Sequence, residues 1–175
     1  KRISDEEILR AVARGASAGA TKFKFYMLCG IPTETWDDIA AIPPLARRAR
    51  DVLHEIHPMG RLTLSVNPVI PKPWTPWQWL PLAKRDYLKE VLRFLRSELG
   101  SEAGLEISGE SPIGASWQTL LSRGDRRVTE AVIAAADADG NWRQALKGVT
   151  LDTASYIYRA HGLTESLAWD FIDHS

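Results

Sequence analysis

Lys24-Phe25-Tyr26-Met27-Leu28-Cys29-Gly30-Ile31-Pro32-Thr33-Glu34-Thr35 decides how this chain is read. An apolar and aromatic run ends in a Gly-x-Pro turn and passes directly into an acidic, helix-starting segment. Such a run reads as a buried strand, and the turn lies where α/β sheets place their ligands, at the carboxyl edge. Upstream, Ser4-Asp5-Glu6-Glu7 is a capping pattern for a helix over 4–18 with Ile8, Leu9, Val12 and Ala13 at helical spacing, ended by Gly15 and Gly19. Downstream, Thr33 or Thr35 caps a second helix, with Glu34, Asp37 and Asp38 in its first turn. That helix runs to about His54, and Pro43-Pro44 must kink or split it. From Arg61 to Asn67, Leu62, Leu64 and Val66 alternate with polar neighbours, so a second strand follows. Helix, strand, helix, strand is the unit of a parallel sheet.

From Pro68 to Pro81 prolines recur too closely for regular structure, and Trp74, Trp77 and Trp79 are interleaved with them. Seven tryptophans is a high count for 175 residues. The loop is either packed by its own rings or forms a wall of a substrate cavity. Ala83 to Leu99 is an amphipathic helix, with Tyr87, Leu88, Val91, Leu92 and Leu95 on one face. A short extended piece covers Leu105–Ser108, and helices are expected at about 113–122, 125–138, 140–147, 151–160 and 164–172. No internal repeat or low-complexity tract is visible.

Lys and Arg total 22, as do Asp and Glu, which gives no electrostatic case for nucleic-acid or membrane partners. No apolar run approaches the roughly 20 residues of a membrane span, and Lys1 opens a polar helix rather than a signal peptide. A single cysteine permits no internal disulfide, so the expected location is cytoplasmic. A first residue of Lys rather than Met suggests a truncated N-terminus.

The segment Met27-Leu28-Cys29-Gly30-Ile31-Pro32-Thr33-Glu34 resembles the fifth-strand region of radical SAM enzymes: apolar residues, Gly, x, Pro, x, Glu. Ser65-x-Asn67 followed by Pro71-Lys72-Pro73-x-Thr75-Pro76-x-Gln78-Trp79 resembles the sixth-strand region of the branch that joins a cobalamin-binding-like domain to the radical SAM domain. Trp77 stands where that branch usually has Phe. Ser122-Arg123-Gly124-Asp125-Arg126-Arg127 resembles a downstream segment of the same branch, as do Trp142 and Ala168-Trp169-Asp170-Phe171-Ile172. The matches span nearly the whole chain.

The resemblance implies the C-terminal portion of a partial (β/α) barrel over residues 1–100, its strands resembling the fifth and sixth, followed by a mostly helical extension over 101–175. In the intact enzyme, a [4Fe–4S] cluster and S-adenosylmethionine would generate a 5′-deoxyadenosyl radical, and cobalamin is a candidate further cofactor. Leu28, Cys29, Gly30, Glu34, Ser65 and Asn67 would contact S-adenosylmethionine, and Lys72, Trp74, Trp77, Gln78 and Arg123 would line the substrate cavity. The CxxxCxxC loop that holds the cluster is missing, so this chain alone is not expected to be catalytic. Its partner would be the missing N-terminal barrel half, or a second copy covering an apolar sheet edge.

The residues also admit rival readings. The chain could be a cluster-free α/β interaction module using the Trp/Pro-rich loop 68–81 to dock a partner, or an unrelated α/β domain holding a nucleotide at the Gly30 turn. Lys72 and Gln78 could be a surface ammonium and a loop-tying amide. Arg123-Gly124-Asp125 reads as a helix end with Gly in the left-handed position and Asp as the next cap, and its arginines as a salt-linked hinge or an anion site. Cys29 reads as a small buried hydrophobe. His54 and His57 read as solvated residues at a helix end, and His161 and His174 stand alone. Asp137-Ala138-Asp139-Gly140-Asn141 matches the start of a calcium loop, but Gly148 occupies the twelfth position where Glu is needed, so it reads as a turn.

Overall fold

The computed structural model describes residues 3–173, and Lys1 and His174 lie outside them. Two compact units are present: residues 1–67 with 87–110, and residues 68–86 with 111–175. The expected boundary at residue 100 therefore differs from this division in two places. The Trp/Pro loop groups with the C-terminal helices, and residues 101–110 group with the strands.

The first unit is an α/β layer. Helix α1 (Asp5–Ser17) begins as expected: Ser4 Oγ accepts from Glu7 N–H at 3.2 Å, and Glu7 accepts from Ser4 N–H at 2.9 Å. Gly15 does not end this helix but lies within it. A Cβ there would stand 2.9 Å from the Phe23 ring, so the glycine lets the helix close on strand β1 (Lys22–Cys29). The two prolines split the next helix into α2 (Trp36–Ala40) and α3 (Ile42–Ile56), with Pro43 and Pro44 in the first turn of α3, where no N–H donor is required. Strand β2 (Arg61–Pro68), helix α4 (Arg85–Leu99) and strand β3 (Leu105–Ser108) follow.

The strands form one small sheet in sequence order, β1-β2-β3, and β2 runs parallel to β3 from Leu62↔Leu105 to Ser65↔Ser108. Helices α1 and α3 pack one face through Val12, Ala16, Ala49, Leu53 and Leu62, flanked by Phe23 and Phe25. Helix α4 joins the same layer. Arg47 of α3 bridges Glu98 and Glu102 at 3.2 and 2.6 Å, and Trp36 of α2 meets Phe94 edge-on at 5.2 Å. The other face carries the alternate residues of the strands. Lys24, Tyr26 and Leu28 of β1 are exposed there, and Thr63, Ser65 and Asn67 hold the same parity on β2.

The second unit contains the loop over 68–84, then α5 (Pro112–Arg123), a 3-10 turn (Arg126–Val128), α6 (Thr129–Asp137), α7 (Trp142–Gly148) and α8 (Thr153–Tyr158). Helix α5 packs on α8, and α6 on α7. Trp117 and Trp142 pack with ring centroids 4.6 Å apart. The 137–141 segment is a turn, as expected, with Asp139 and Gly140 at positive φ. The helix expected over 164–172 is instead a series of turns. Leu167 and Trp169 are both buried while Ala168 between them is exposed, a spacing that a helix cannot present to one side. Asp170 accepts from the Leu167 N–H at 2.7 Å and fixes the turn.

Candidate functional site

Within the first unit, the candidate residues gather at the carboxyl ends of β1 and β2. Gly30 takes φ +76°, a conformation open to glycine at little cost, and so reverses the chain directly after β1. The turn is closed from inside. Glu34 accepts from the Gly30 N–H at 2.8 Å and from the Tyr87 hydroxyl at 2.5 Å, so one carboxylate ties the turn to α4. Burial and the Glu34 carboxylate push the Tyr87 phenol above its ordinary range. Thr35, rather than Thr33, precedes the next helix, and its N–H and hydroxyl both donate to Asp38 at 2.8 Å.

Cys29 is fully buried. Burial, then the nearby Glu34 charge, push its thiol up to about 12, so it stays protonated at neutral pH and packs as a small apolar residue. Leu28 is half exposed beside it on the face opposite α1 and α3. At the end of β2, Asn67 donates to the Ser65 carbonyl and hydroxyl at 3.3 and 3.2 Å and accepts from the Glu110 N–H at 3.0 Å. This amide joins β2 to the segment after β3. There Gly109, at φ +153°, lies so close to β2 that a Cβ would fall 1.9 Å from the Val66 carbonyl oxygen. The edge therefore combines an apolar platform at Leu28, a small hydroxyl at Ser65 and fixed turns on both strands.

In the second unit, the loop candidates hold the loop itself. The Lys72 carbonyl accepts from the Thr75 hydroxyl at 2.8 Å, and its ammonium donates to Ser122 Oγ at 3.0 Å. Gln78 accepts from the Trp74 N–H at 3.0 Å and from the Trp169 indole N–H at 2.8 Å. Trp74 and Trp77 remain 46% and 37% exposed. Two further backbone bonds anchor the loop: Leu82 N–H to the Ile157 carbonyl at 2.9 Å, and His161 N–H to the Trp79 carbonyl at 2.8 Å.

Arg123 departs from the salt-linked-hinge reading of its segment. It is 2% exposed, and its guanidinium donates to the carbonyls of Tyr156, Ile157 and Arg159 at 2.6, 3.3 and 2.7 Å rather than to Asp125. Burial, then the nearby Arg159 charge, lower its pKa to about 10. Gly124 is not left-handed (φ −76°). Asp125 caps the following turn as expected, accepting from the Arg127 N–H at 2.9 Å, and also pairs with the Arg127 side chain. That pairing holds its carboxyl down to about 2.

These residues line a cavity of about 410 Å³ that the sequence did not announce. Arg159 pairs with Glu165 through two contacts, at 2.6 and 2.8 Å, and His161 Nδ1 lies 2.9 Å from the same carboxylate. The Arg159 guanidinium, His161 and the Gly162 N–H hold the Glu165 carboxyl well below the usual range. His161 is thus no isolated residue. A signal was present, since His161 and Glu165 stand four apart with Arg159 just before, but the expected helix over 164–172 hid it. His54 and His57 are also tied in, with their Nε2 atoms 3.0 and 2.9 Å from the Gly60 and Ala16 carbonyls. Among the described residues, no three His, Cys, Asp or Glu side chains gather as a metal-ligand set, and no helix is long and apolar enough to cross a membrane.

No protein-family model matches the chain, and no solved structure does. An uncharacterized protein of Methanocaldococcus jannaschii is 28% identical to it over 132 residues, which are 74% of this chain and 27% of that protein. The chain therefore spans about a quarter of the length of the curated relative it matches.

Proposed function

We propose that this chain is the C-terminal barrel portion of a radical SAM enzyme of the cobalamin-associated branch, supplying walls of the S-adenosylmethionine and substrate cavities. The observation that carries this reading is the one-sided sheet. Strands in sequence order with α1, α3 and α4 all on one face are what a segment of a singly wound barrel requires, and the opposite face would be its lumen. Leu28 on that face would pack against the adenine, Gly30 would let the backbone approach it, and Ser65 and Asn67 would supply polar contacts at the next strand end. Glu34 and Cys29 act one layer back: the carboxylate shapes the turn, and the thiol fills the space beneath it.

The iron–sulfur cluster does not fit this chain. Cys29 is its one cysteine, buried and protonated, whereas a cluster needs three thiolates. The catalytic step is therefore assigned to the intact enzyme, with the missing barrel half as the partner of the β1 edge. The short span of the chain against its archaeal relative supports this reading.

The test is the coding sequence upstream of Lys1, followed by anaerobic assay of the intact product. A CxxxCxxC in frame and 5′-deoxyadenosine released from S-adenosylmethionine are expected. An open reading frame with no such motif would sink the proposal. The exposure of Trp74 and Trp77 favours a second reading, in which loop 68–81 docks a partner of a cluster-free module. That reading requires partner binding lost in Trp77→Ala.

A further inference from the structure

The structure assigns an oxyanion-binding site to the cavity between the end of α5, α8 and the turns over 159–169, with Arg123 and His161 as the residues that grip the ligand. Four charged groups around the cavity are already matched. Arg127 pairs with Asp125, and Arg159 pairs with Glu165. Asp152, the remaining carboxylate, is exposed and caps α8 by accepting from the Ser155 N–H at 3.1 Å. Arg123 is left as the cation that makes no direct ion pair, and the Glu165 charge reaches it only through space. Its three carbonyl partners accept from the two terminal nitrogens, and among the described residues its buried Nε–H has no acceptor.

A guanidinium that is 2% exposed carries its full charge into a low-dielectric setting, and carbonyl dipoles satisfy its hydrogens without neutralising that charge. The same cavity holds a second unmatched nitrogen. His161 Nδ1 lies 2.9 Å from Glu165 and 3.1 Å from the Arg159 guanidinium, and with Nδ1 accepting from that guanidinium the ring proton sits on Nε2, which is buried and has no partner among the described residues. Two unmatched nitrogens, one on a planar cation, call for a ligand with several acceptor oxygens and negative charge. A phosphate or carboxylate group on a small molecule has that chemistry, and arginine's fork is shaped for it. The site lies wholly within the second unit, and its assignment does not depend on the radical SAM reading.

The test is titration of this chain with inorganic phosphate and, separately, acetate, against sodium chloride at matched ionic strength, following the arginine Nε–H and histidine ring resonances by NMR. Saturable binding is expected, with the Arg123 Nε–H resonance shifting, affinity at least tenfold weaker in His161→Gln, and binding lost in Arg123→Lys. Tighter phosphate binding assigns a phosphoryl ligand and tighter acetate binding a carboxylate, and either supports the site. Absence of saturation in the wild type, an equal response to chloride, or unchanged affinity in His161→Gln would overturn it. Because Arg123→Lys could unfold the second unit, circular dichroism accompanies each variant, and His161→Gln decides if Arg123→Lys is unfolded.

Discussion

The two units use their polar side chains in opposite ways. In the first, the polar residues that look functional are satisfied locally: Glu34 by Gly30 and Tyr87, Asn67 by Ser65 and Glu110. They shape the backbone and leave an apolar platform facing outward. In the second, charged residues crowd a cavity, and Arg123 Nε and His161 Nε2 of its lining residues are left unmatched, as are Trp117 Nε1 elsewhere in that unit and Ser108 Oγ in the first. A motif residue can thus serve a site by fixing its shape, and a residue outside any motif can be the one with spare bonding capacity.

Four changes would break or sharpen that contrast. The largest effect is expected at Gly109. Gly109→Ala forces a side chain into the Val66 carbonyl at φ +153° and should cost about 3 kcal/mol, read as a lower midpoint in urea. An unchanged midpoint would mean that the join between β2 and the segment after β3 is not close-packed. Next, Glu34→Ala removes the acceptor for Gly30 and Tyr87 and should cost about 2 kcal/mol. The same change should lower the Cys29 thiol pKa, since the carboxylate helps to raise it, and thiol titration measures that separately. If stability falls but the thiol pKa does not, Glu34 acts through the turn alone.

Ser4→Ala breaks the box at the start of α1 and should cost about 1 kcal/mol, measured by the same denaturation. The smallest effect belongs to the second unit. Asp125 has its folded pKa depressed to about 2 from a reference of 3.8, so its stabilisation is fully present above pH 3.8 and lost as pH falls through about 2. The pair is solvent-exposed, so the loss should stay below about 1 kcal/mol. Asp125→Asn should flatten the acid limb of the stability–pH curve over that window. A steep acid transition that survives the substitution would point to another carboxylate.

The fold was legible where one period or one cap dominated. Leu88, Val91, Leu92 and Leu95 are buried along α4 as their spacing required, Ser4 caps α1, and Pro43-Pro44 split the following helix. Gly15 was misread because a glycine's local cost is visible in sequence, whereas the aromatic ring that requires it lies across a turn. Residues 164–172 were misread because Leu167 and Trp169 answer to packing two apart, which composition alone does not display. Of the candidate site, the Gly30–Glu34 turn was legible, since the ring closed by Glu34 is local. Tyr87 was read only as part of an apolar face. Arg123 owes its surroundings to residues far along the chain, whereas His161 pairs with its sequence neighbours Arg159 and Glu165, a local signal that the expected helix over 164–172 hid.

The bond from the Trp169 indole to Gln78 joins residues 91 positions apart. Its consequence is one of timing. The Trp/Pro loop leaves the ribosome well before the segment that fastens it, so it must wait unfastened while α5 to α8 are made. Closing so long a span is slow compared with forming the helices between. The loop should therefore be the last part of the second unit to order, and the first to be released when the C-terminal turns let go.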